Sequence, residues 1–510
     1  MRLPFLTLCL AAAAAAQSPT PEPGVAQTPS PLDLRVEQLL KQHPAVARGA
    51  WGALAIDLAT GQVLLQHNPD HTFVPASNNK LYSTALALNR LGPGYRFTTR
   101  VLASAPPSPD GSLPGGLILE GSGDPSLSGR TWPYRRNAPV NPPLSALDEL
   151  AAQIQTRGIR RVRGPITGDD RAYLHEPIPP GWAADDTLYD YGAPVSALVI
   201  HDNYLTVRLD PARPGELAHL SVFPETGYLQ FTNRVLTTAT GPSRVSERRS
   251  GDGRTVELTG TVSLSSPVSL DLALAGPAHY AAHALRHLLL RRGIAVDGGI
   301  EVLHRYTLAE PPPVPAPIEL ARRNSPPLSQ LIQATNKVSQ NLYAELLLRE
   351  TARAAGESGS RRAALGQLST WLRSLGASAT GFSFSDGSGL SRLALVSPDT
   401  TVRVLHALYE GPQREVWLES LPIGGEDGTL SSRFKGWTGG RVRAKTGTLT
   451  HVTTLSGYLD FPNGANSGAP PIAFSIMVNN ANSSAAGSRG FIDGLVQALA
   501  ALPAPAAPSP

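Results

Sequence analysis

Residues 75–94 read PASNNKLYSTALALNRLGPG. Leu81, Thr84, Ala85, Leu88 and Leu91 fall on one face at helical spacing, Pro75 prepares the turn and Gly92-Pro93-Gly94 stops it, which predicts a helix over 77–91. Ser77 and Lys80 then lie one turn apart on the same face. Backbone N–H groups point outward at a helix N-terminus, which favours an oxyanion forming beside Ser77. A desolvated lysine loses its proton more readily, so Lys80 suits the part of base to the serine hydroxyl. The pattern is weak alone, because Ser432-Arg433-Phe434-Lys435 matches it too.

Outward from this helix the pattern predicts an α+β domain built from both ends of the chain. Alternation over 52–58 and 62–66 around Thr60-Gly61 predicts a β-hairpin, preceded by a helix over 32–43. Strand signals return at 441–448, 452–460 and 472–479, followed by a helix over 488–501, and helical periodicity runs through 328–350 and 361–375. Two early and three late strands predict one antiparallel five-stranded sheet flanked by helices. Residues 96–309 differ: short β-like runs separated by Gly, Pro and Asp, with one clear helix over 278–292, predict β-rich inserted domains. The expected divisions are a catalytic domain in two parts, 32–95 and 310–501, with the insert between them, a Pro-rich linker at 17–31 and a Pro-rich tail at 502–510.

Residues 1–16 carry the marks of a secretory signal: Arg2, an apolar stretch from Leu3 to Ala15, and small residues before Gln17. The expected location is across the cytoplasmic membrane, in a periplasm or on the cell-wall side. The single cysteine, Cys9, lies inside that stretch, so neither a disulfide framework nor a thiolate zinc cluster is expected. A formal charge of +4 over 510 residues, with no basic block, argues against nucleic acid as a partner. Among 44 basic residues only five are lysines: Lys41, Lys80, Lys337, Lys435 and Lys445. Arginine keeps its proton near neutrality whereas a desolvated lysine does not, so each lysine marks a place to inspect.

Two of them lead to further motifs. Lys445-Thr446-Gly447-Thr448, on a strand reading RVRAKTGTLTHV, presents a cation and two hydroxyls suited to a carboxylate, and Gly447 allows a ligand backbone to approach the strand edge. Ser339-Gln340-Asn341 lies in the helical stretch 328–350, where its spacing calls for a turn between two helices. Ser339 then supplies a proton-shuttling hydroxyl and Asn341 an amide to hold a substrate carbonyl. Lys337 is assigned a structural part beside them. S-x-x-K, S-x-N and K-T-G in this chain order form the set of the β-lactamases and penicillin-binding proteins. The match at Ser432 fails, since no S-x-N separates it from Lys445.

Ser77 and Ser339 are 262 positions apart, and the excess over a compact β-lactamase coincides with the insert. The chain resembles the low-molecular-mass class C penicillin-binding proteins, the D-alanyl-D-alanine carboxypeptidase/endopeptidase family of the penicillin-binding protein 4 type. Further runs carrying the resemblance include Gly121-Ser122-Gly123-Asp124-Pro125, Asn341-Leu342-Tyr343-Ala344-Glu345, and Asp386-Gly387-Ser388-Gly389-Leu390-Ser391-Arg392. It implies a serine β-lactamase/transpeptidase-like domain and acyl transfer on the D-Ala-D-Ala end of peptidoglycan stem peptides and cross-links, with β-lactams as covalent inhibitors and no cofactor or metal. Ser77 would attack with Lys80 as base, Ser339 and Lys445 would relay a proton to the leaving D-alanine, and Asn341 would hold the substrate amide. Thr446 and Thr448 would bind the terminal carboxylate beside Gly447, and the N–H groups of Ser77 and Thr448 would form the oxyanion hole. Asp169-Asp170 resembles an acidic segment that reads an amine on the stem peptide. Gln340 stands where the family often has Asp or Asn, and its side chain is expected to point away from substrate. No Glu-x-x-Leu-Asn segment of a deacylating β-lactamase is present, nor a G-x-S-x-G elbow or H-E-x-x-H site.

Overall fold

The structure is a computed structural model that describes residues 30–313, 317–461 and 467–502. The expected leader at 1–16, most of the expected linker and nearly all of the expected tail lie outside the described residues. The first helix, α1 (Pro31–Gln42), starts inside the expected linker, because Ser30 caps it: its hydroxyl accepts from Asp33 N at 3.1 Å, and the Asp33 carboxylate accepts in return from Ser30 N.

The strands β1 (Ala50–Asp57), β2 (Val63–His67), β3 (Arg441–Leu449), β4 (Val452–Asp460) and β5 (Ile472–Asn479) form one antiparallel sheet in the order β3-β4-β5-β1-β2. Residues from the two ends of the chain pair at its centre, Ala53 opposite Ile476. Side chains alternate between faces along a strand. In β5, Ile472, Phe474, Ile476 and Val478 pack with Leu39 of α1 and with Phe491 and Leu495 of the last helix, Ala485–Ala500. Ala473 and Met477 join the opposite core with Leu81, Tyr82 and Leu86 of α2 (Lys80–Leu91) and with Leu331 and Leu347. Full burial of one such aliphatic or aromatic side chain contributes roughly 1.5–3 kcal/mol, so the sheet is held from both faces. Leu331 and Leu347 belong to α3 (Leu328–Lys337) and α4 (Asn341–Ala354), with the predicted break between them at 338–340.

The β-rich region carries its own mixed five-stranded sheet, ordered Ile300–Arg305, Ile166–Leu174, Leu117–Glu120, Thr98–Ala103, Ile318–Asn324. The strands that come first and last along the chain, Thr98–Ala103 and Ile318–Asn324, are antiparallel neighbours, Arg100 opposite Arg322. This sheet therefore runs on to Asn324, past the expected limit at 309. The helix Pro277–Arg291 buries Ala278, Ala281, Leu285 and Leu289 in a core with Val101, Leu119 and Ile166. Three three-stranded sheets complete the region, two built from strands between Tyr204 and Ala273 and a small one from Ser112–Leu113, Arg161–Val162 and Ala295–Val296. No described helix is long and apolar enough to cross a membrane.

Candidate active site

The helix predicted from Ser77 begins as an α-helix only at Lys80; Ala76–Asn79 form a 3₁₀ turn entered through Ala76 at φ 48°. Side chains three residues apart eclipse one another in a 3₁₀ turn, and this brings Lys80 Nζ to 2.8 Å from Ser77 Oγ. The turn is pinned by its own buried asparagines: Asn78 Nδ2 donates to Ser456 Oγ on β4 (2.6 Å), and Asn79 Nδ2 to the Asp386 carbonyl (2.8 Å). It also seats on Gly447. A Cβ there would stand 2.2 Å from Thr454 Oγ1 and 2.7 Å from the Pro75 carbonyl oxygen. The room at Gly447, expected to serve a ligand backbone, is taken by the chain's own turn.

Lys80 is completely buried, and burial pushes its amine down to about 7 against the opposing pull of the Asp386 and Glu345 carboxylates. Besides Ser77 it meets Asn341 Oδ1 at 2.5 Å and the Ser388 carbonyl at 2.8 Å. A neutral amine has two N–H bonds, and these two acceptors use both. Its lone pair is then left facing the Ser77 hydroxyl.

Ser339 sits in the break between α3 and α4 at φ 62°. Gln340 caps α4, its Oε1 accepting from Leu342 N at 2.9 Å, so its side chain is spent on the helix end. Ser339 Oγ lies 2.8 Å from Lys445 Nζ, which also donates to the Thr446 carbonyl at 2.8 Å. Lys445 too is completely buried; desolvation, and then the nearby Lys80, push its amine well below the usual lysine range. Asn341 Nδ2 donates to the Tyr191 carbonyl at 2.7 Å.

Ser77 and Ser339 stand on the walls of two adjoining cavities. One, of about 380 Å³, is also lined by Asn341, Asp186, Tyr191 and Arg392. The other, of about 360 Å³, is lined by Thr429, Thr446, Arg433 and Arg489, and Thr448 borders both. β3 is the edge strand of its sheet. Residues 422–424 cover the start of that edge, with Ala444 N donating to the Pro422 carbonyl and Gly424 N to the Val442 carbonyl, so only the stretch from Thr446 onward borders the cavities.

Asp169 and Asp170 line neither of these cavities. Both are buried on the strand Ile166–Leu174, where Asp169 pairs with Arg171 at 2.6 Å and Asp170 accepts from Ser196 Oγ and His304 Nδ1, each at 2.8 Å. Their polar capacity is spent inside the inserted region, and the acidic side chain on the cavity wall is Asp186. Two further residues were not singled out from the sequence. Glu345 Oε1 accepts from Gly387 N and Ser388 N (2.9 and 2.8 Å), and Asp386 Oδ2 accepts from Ser391 N and Trp182 Nε1 (2.7 and 2.9 Å). Together they fix the Ser388 carbonyl against Lys80. Burial and the neighbouring Asp386 hold the Glu345 carboxyl above the usual carboxylate range. Both lie in runs that carry the resemblance, yet only the folded loop reveals what they hold. Lys337 is tied to Asp427 at 2.6 Å, and the alternative Ser432 reaches a cavity wall while its Lys435 is exposed.

A serine backed by a buried amine on a β-lactamase-like sheet defines an acyl-transferring serine hydrolase. The chain belongs to the D-Ala-D-Ala carboxypeptidase 3 (S13) family, whose profile matches residues 32–502. It is 33% identical over 461 residues to a D-alanyl-D-alanine carboxypeptidase of Actinomadura sp. (strain R39), covering 87% of this chain and 80% of that one. Identity to the D-alanyl-D-alanine carboxypeptidase DacB of Haemophilus influenzae is 26% over 445 residues, covering 84% and 85%. Among solved structures, penicillin-binding protein 4 of H. influenzae shares the fold with a TM-score of 0.74 at 24% identity, covering 91% of this chain and 97% of that one.

Proposed function

We propose that this chain is a serine-type D-Ala-D-Ala carboxypeptidase that trims peptidoglycan stem peptides through an acyl-enzyme on Ser77, with hydrolysis of cross-links as its second reaction. The observation that carries the reading is the geometry at Lys80: Ser77 Oγ lies 2.8 Å from Nζ, and Asn341 Oδ1 and the Ser388 carbonyl are placed to take both hydrogens of the amine once it is neutral. The Ser77 proton passes to Lys80 as Oγ bonds to the carbonyl carbon of the penultimate D-alanine. The oxyanion is received by the N–H groups of Ser77 and Thr448. Collapse breaks the C–N bond, and the leaving nitrogen takes a proton through Ser339 from the lysine pair. Water then attacks the ester, returning the proton to Ser77 and freeing the shortened peptide.

Substrate adds as a short strand along the open edge of β3, with its terminal carboxylate at Thr446 and Thr448 and its amide at Asn341. The acidic reader of the stem-peptide amine is Asp186, in place of Asp169 and Asp170. β-Lactams acylate the same serine, and the substrate places the enzyme outside the cytoplasm. Labelled penicillin is expected to attach to the Ser77 peptide of the wild type and to leave Ser77→Ala unlabelled; labelling that persists in the variant rejects the assignment. Mass spectrometry of digested muropeptides separates the two reactions: loss of one D-alanine reports the carboxypeptidase, and conversion of dimers to monomers the endopeptidase.

A further inference from the structure

We propose that Asp170, His175 and His304 form a binding site for a divalent transition ion of the Zn²⁺ type, which cross-links the inserted sheet where its hydrogen-bond ladder breaks. The strands Ile166–Leu174 and Ile300–Arg305 run parallel in register as far as Leu303 opposite Asp169; the next pair is Arg305 opposite Leu174. One residue, His304, thus faces a detour from Asp170 to Tyr173. Irregularities of this kind re-aim side chains. Here the break turns the two histidines and the aspartate toward one another.

A ligating atom from each of the three residues lies within 4.8 Å of the other two. The rings of His175 and His304 are 4.1 Å apart between centroids, and His304 Nδ1 donates to Asp170 Oδ1 at 2.8 Å. The other carboxylate oxygen is held by Ser196 Oγ at 2.8 Å, which orients the aspartate, while Tyr306 flanks both rings at 5.2 and 5.7 Å. Two imidazoles and one carboxylate suit Zn²⁺ or Co²⁺, whereas Mg²⁺ and Ca²⁺ prefer all-oxygen shells. Bonds of about 2.0–2.1 Å set ligand atoms roughly 3.3 Å apart in a tetrahedron, so the half-buried histidine rings shift on loading. The 2.8 Å hydrogen bond between His304 and Asp170 then gives way to metal bonds with its proton released to solvent, and water is the fourth ligand.

The site lies beside a structural seam. His175 N donates to the Arg305 carbonyl, and the carbonyls of Leu174 and Glu176 accept from the buried guanidinium of Arg349 on α4, at 3.2 and 2.6 Å. A metal at Asp170, His175 and His304 fastens two strands next to the point where the region docks on the helix that presents Asn341. With a single cysteine, the chain has no intrachain disulfide for this purpose.

The test uses untagged, chelator-stripped protein dialysed against micromolar free Zn²⁺. About one bound Zn²⁺ per chain is expected, with a Tm that rises to a plateau as Zn²⁺ is added, and at least ~10-fold weaker binding by His175→Gln and His304→Gln. Unchanged acylation by labelled penicillin certifies that these variants are folded. X-ray absorption of the Zn²⁺-loaded wild type, which needs no variant, is expected to show two imidazoles in the shell. A wild type that retains no stoichiometric metal overturns the proposal. So does a folded variant that binds as tightly as wild type, or a shell without imidazole.

Discussion

Lys80 and Lys445 are two of five lysines in a chain that otherwise uses arginine, and both are fully buried. Arginine holds its proton too firmly to act as base, so Lys80→Arg should lower penicillin acylation by at least ~100-fold while thermal unfolding shows a folded protein. The acylation rate should rise with pH through about 7, where Lys80 becomes neutral; a rate flat from pH 6 to 8 rejects the amine as base. Stability carries the same signature. Above pH 7 the folded chain leaves Lys80 neutral while the unfolded chain keeps it protonated up to its ordinary 10.5, so the unfolded state binds more protons and stability rises with pH. Lys445, shifted in the same direction, adds to the slope. The urea midpoint should therefore climb between pH 7 and 9, and Lys80→Met should flatten the climb. Beyond about pH 10 the buried tyrosines, Tyr82 among them, reverse the trend, because they ionise only in the unfolded chain. The importance of these lysines was visible from their scarcity, but their acceptors were not: Ser388 lies 308 positions from Lys80 and contributes a carbonyl, which every residue possesses.

At the scale of elements, the site depends on two segments held against local preference, the turn at Ala76 and the break at Ser339, both with positive φ. A non-glycine residue in this region costs about 1–2 kcal/mol, and glycine avoids that cost while losing roughly 0.5–1 kcal/mol of chain entropy. Ser339→Gly relieves that strain but takes one partner from the buried Lys445 amine, so stability should stay within about 1 kcal/mol of wild type, as read from denaturant unfolding, while acylation falls. Gly447→Ala acts from the other side. Its Cβ meets main-chain oxygen at Pro75, which cannot move without displacing Ser77, so a cost of about 1–3 kcal/mol and a loss of labelling are expected. The five strands of the catalytic sheet were readable because both faces bury alternating side chains, and the break before α4 was readable from the Ser-x-Asn spacing. The 3₁₀ start of the first helix was not, since tertiary bonds of Asn78 and Asn79 decide it. Asp169 and Asp170 were singled out by resemblance to an acidic segment; the fold places them in mid-strand, where acids are rare and are tolerated here through Arg171, Ser196 and His304.

Across the whole molecule, Arg349 is a main tie between α4 and the inserted region, its guanidinium completely buried and donating to two carbonyls. Arg349→Ala leaves those carbonyls without their donor and should cost roughly 2–4 kcal/mol, with faster hydrogen exchange at residues 173–176 as the local reading. The central sheet has a further consequence, for the order in which the molecule assembles. Ala53 and Ile476 are neighbours across 423 positions of chain, so this pairing waits until almost the whole polypeptide is available. The inserted sheet brings Thr98 beside Asn324 through its own first and last strands, and once formed it shortens that loop by about half. Halving a loop contributes only about 0.6 kcal/mol to closure, too little to matter for final stability. What it changes is sequence in time: the region between the two parts of the sheet is expected to form first and to deliver the late strands to the early hairpin, which until then presents a bare strand edge to its surroundings.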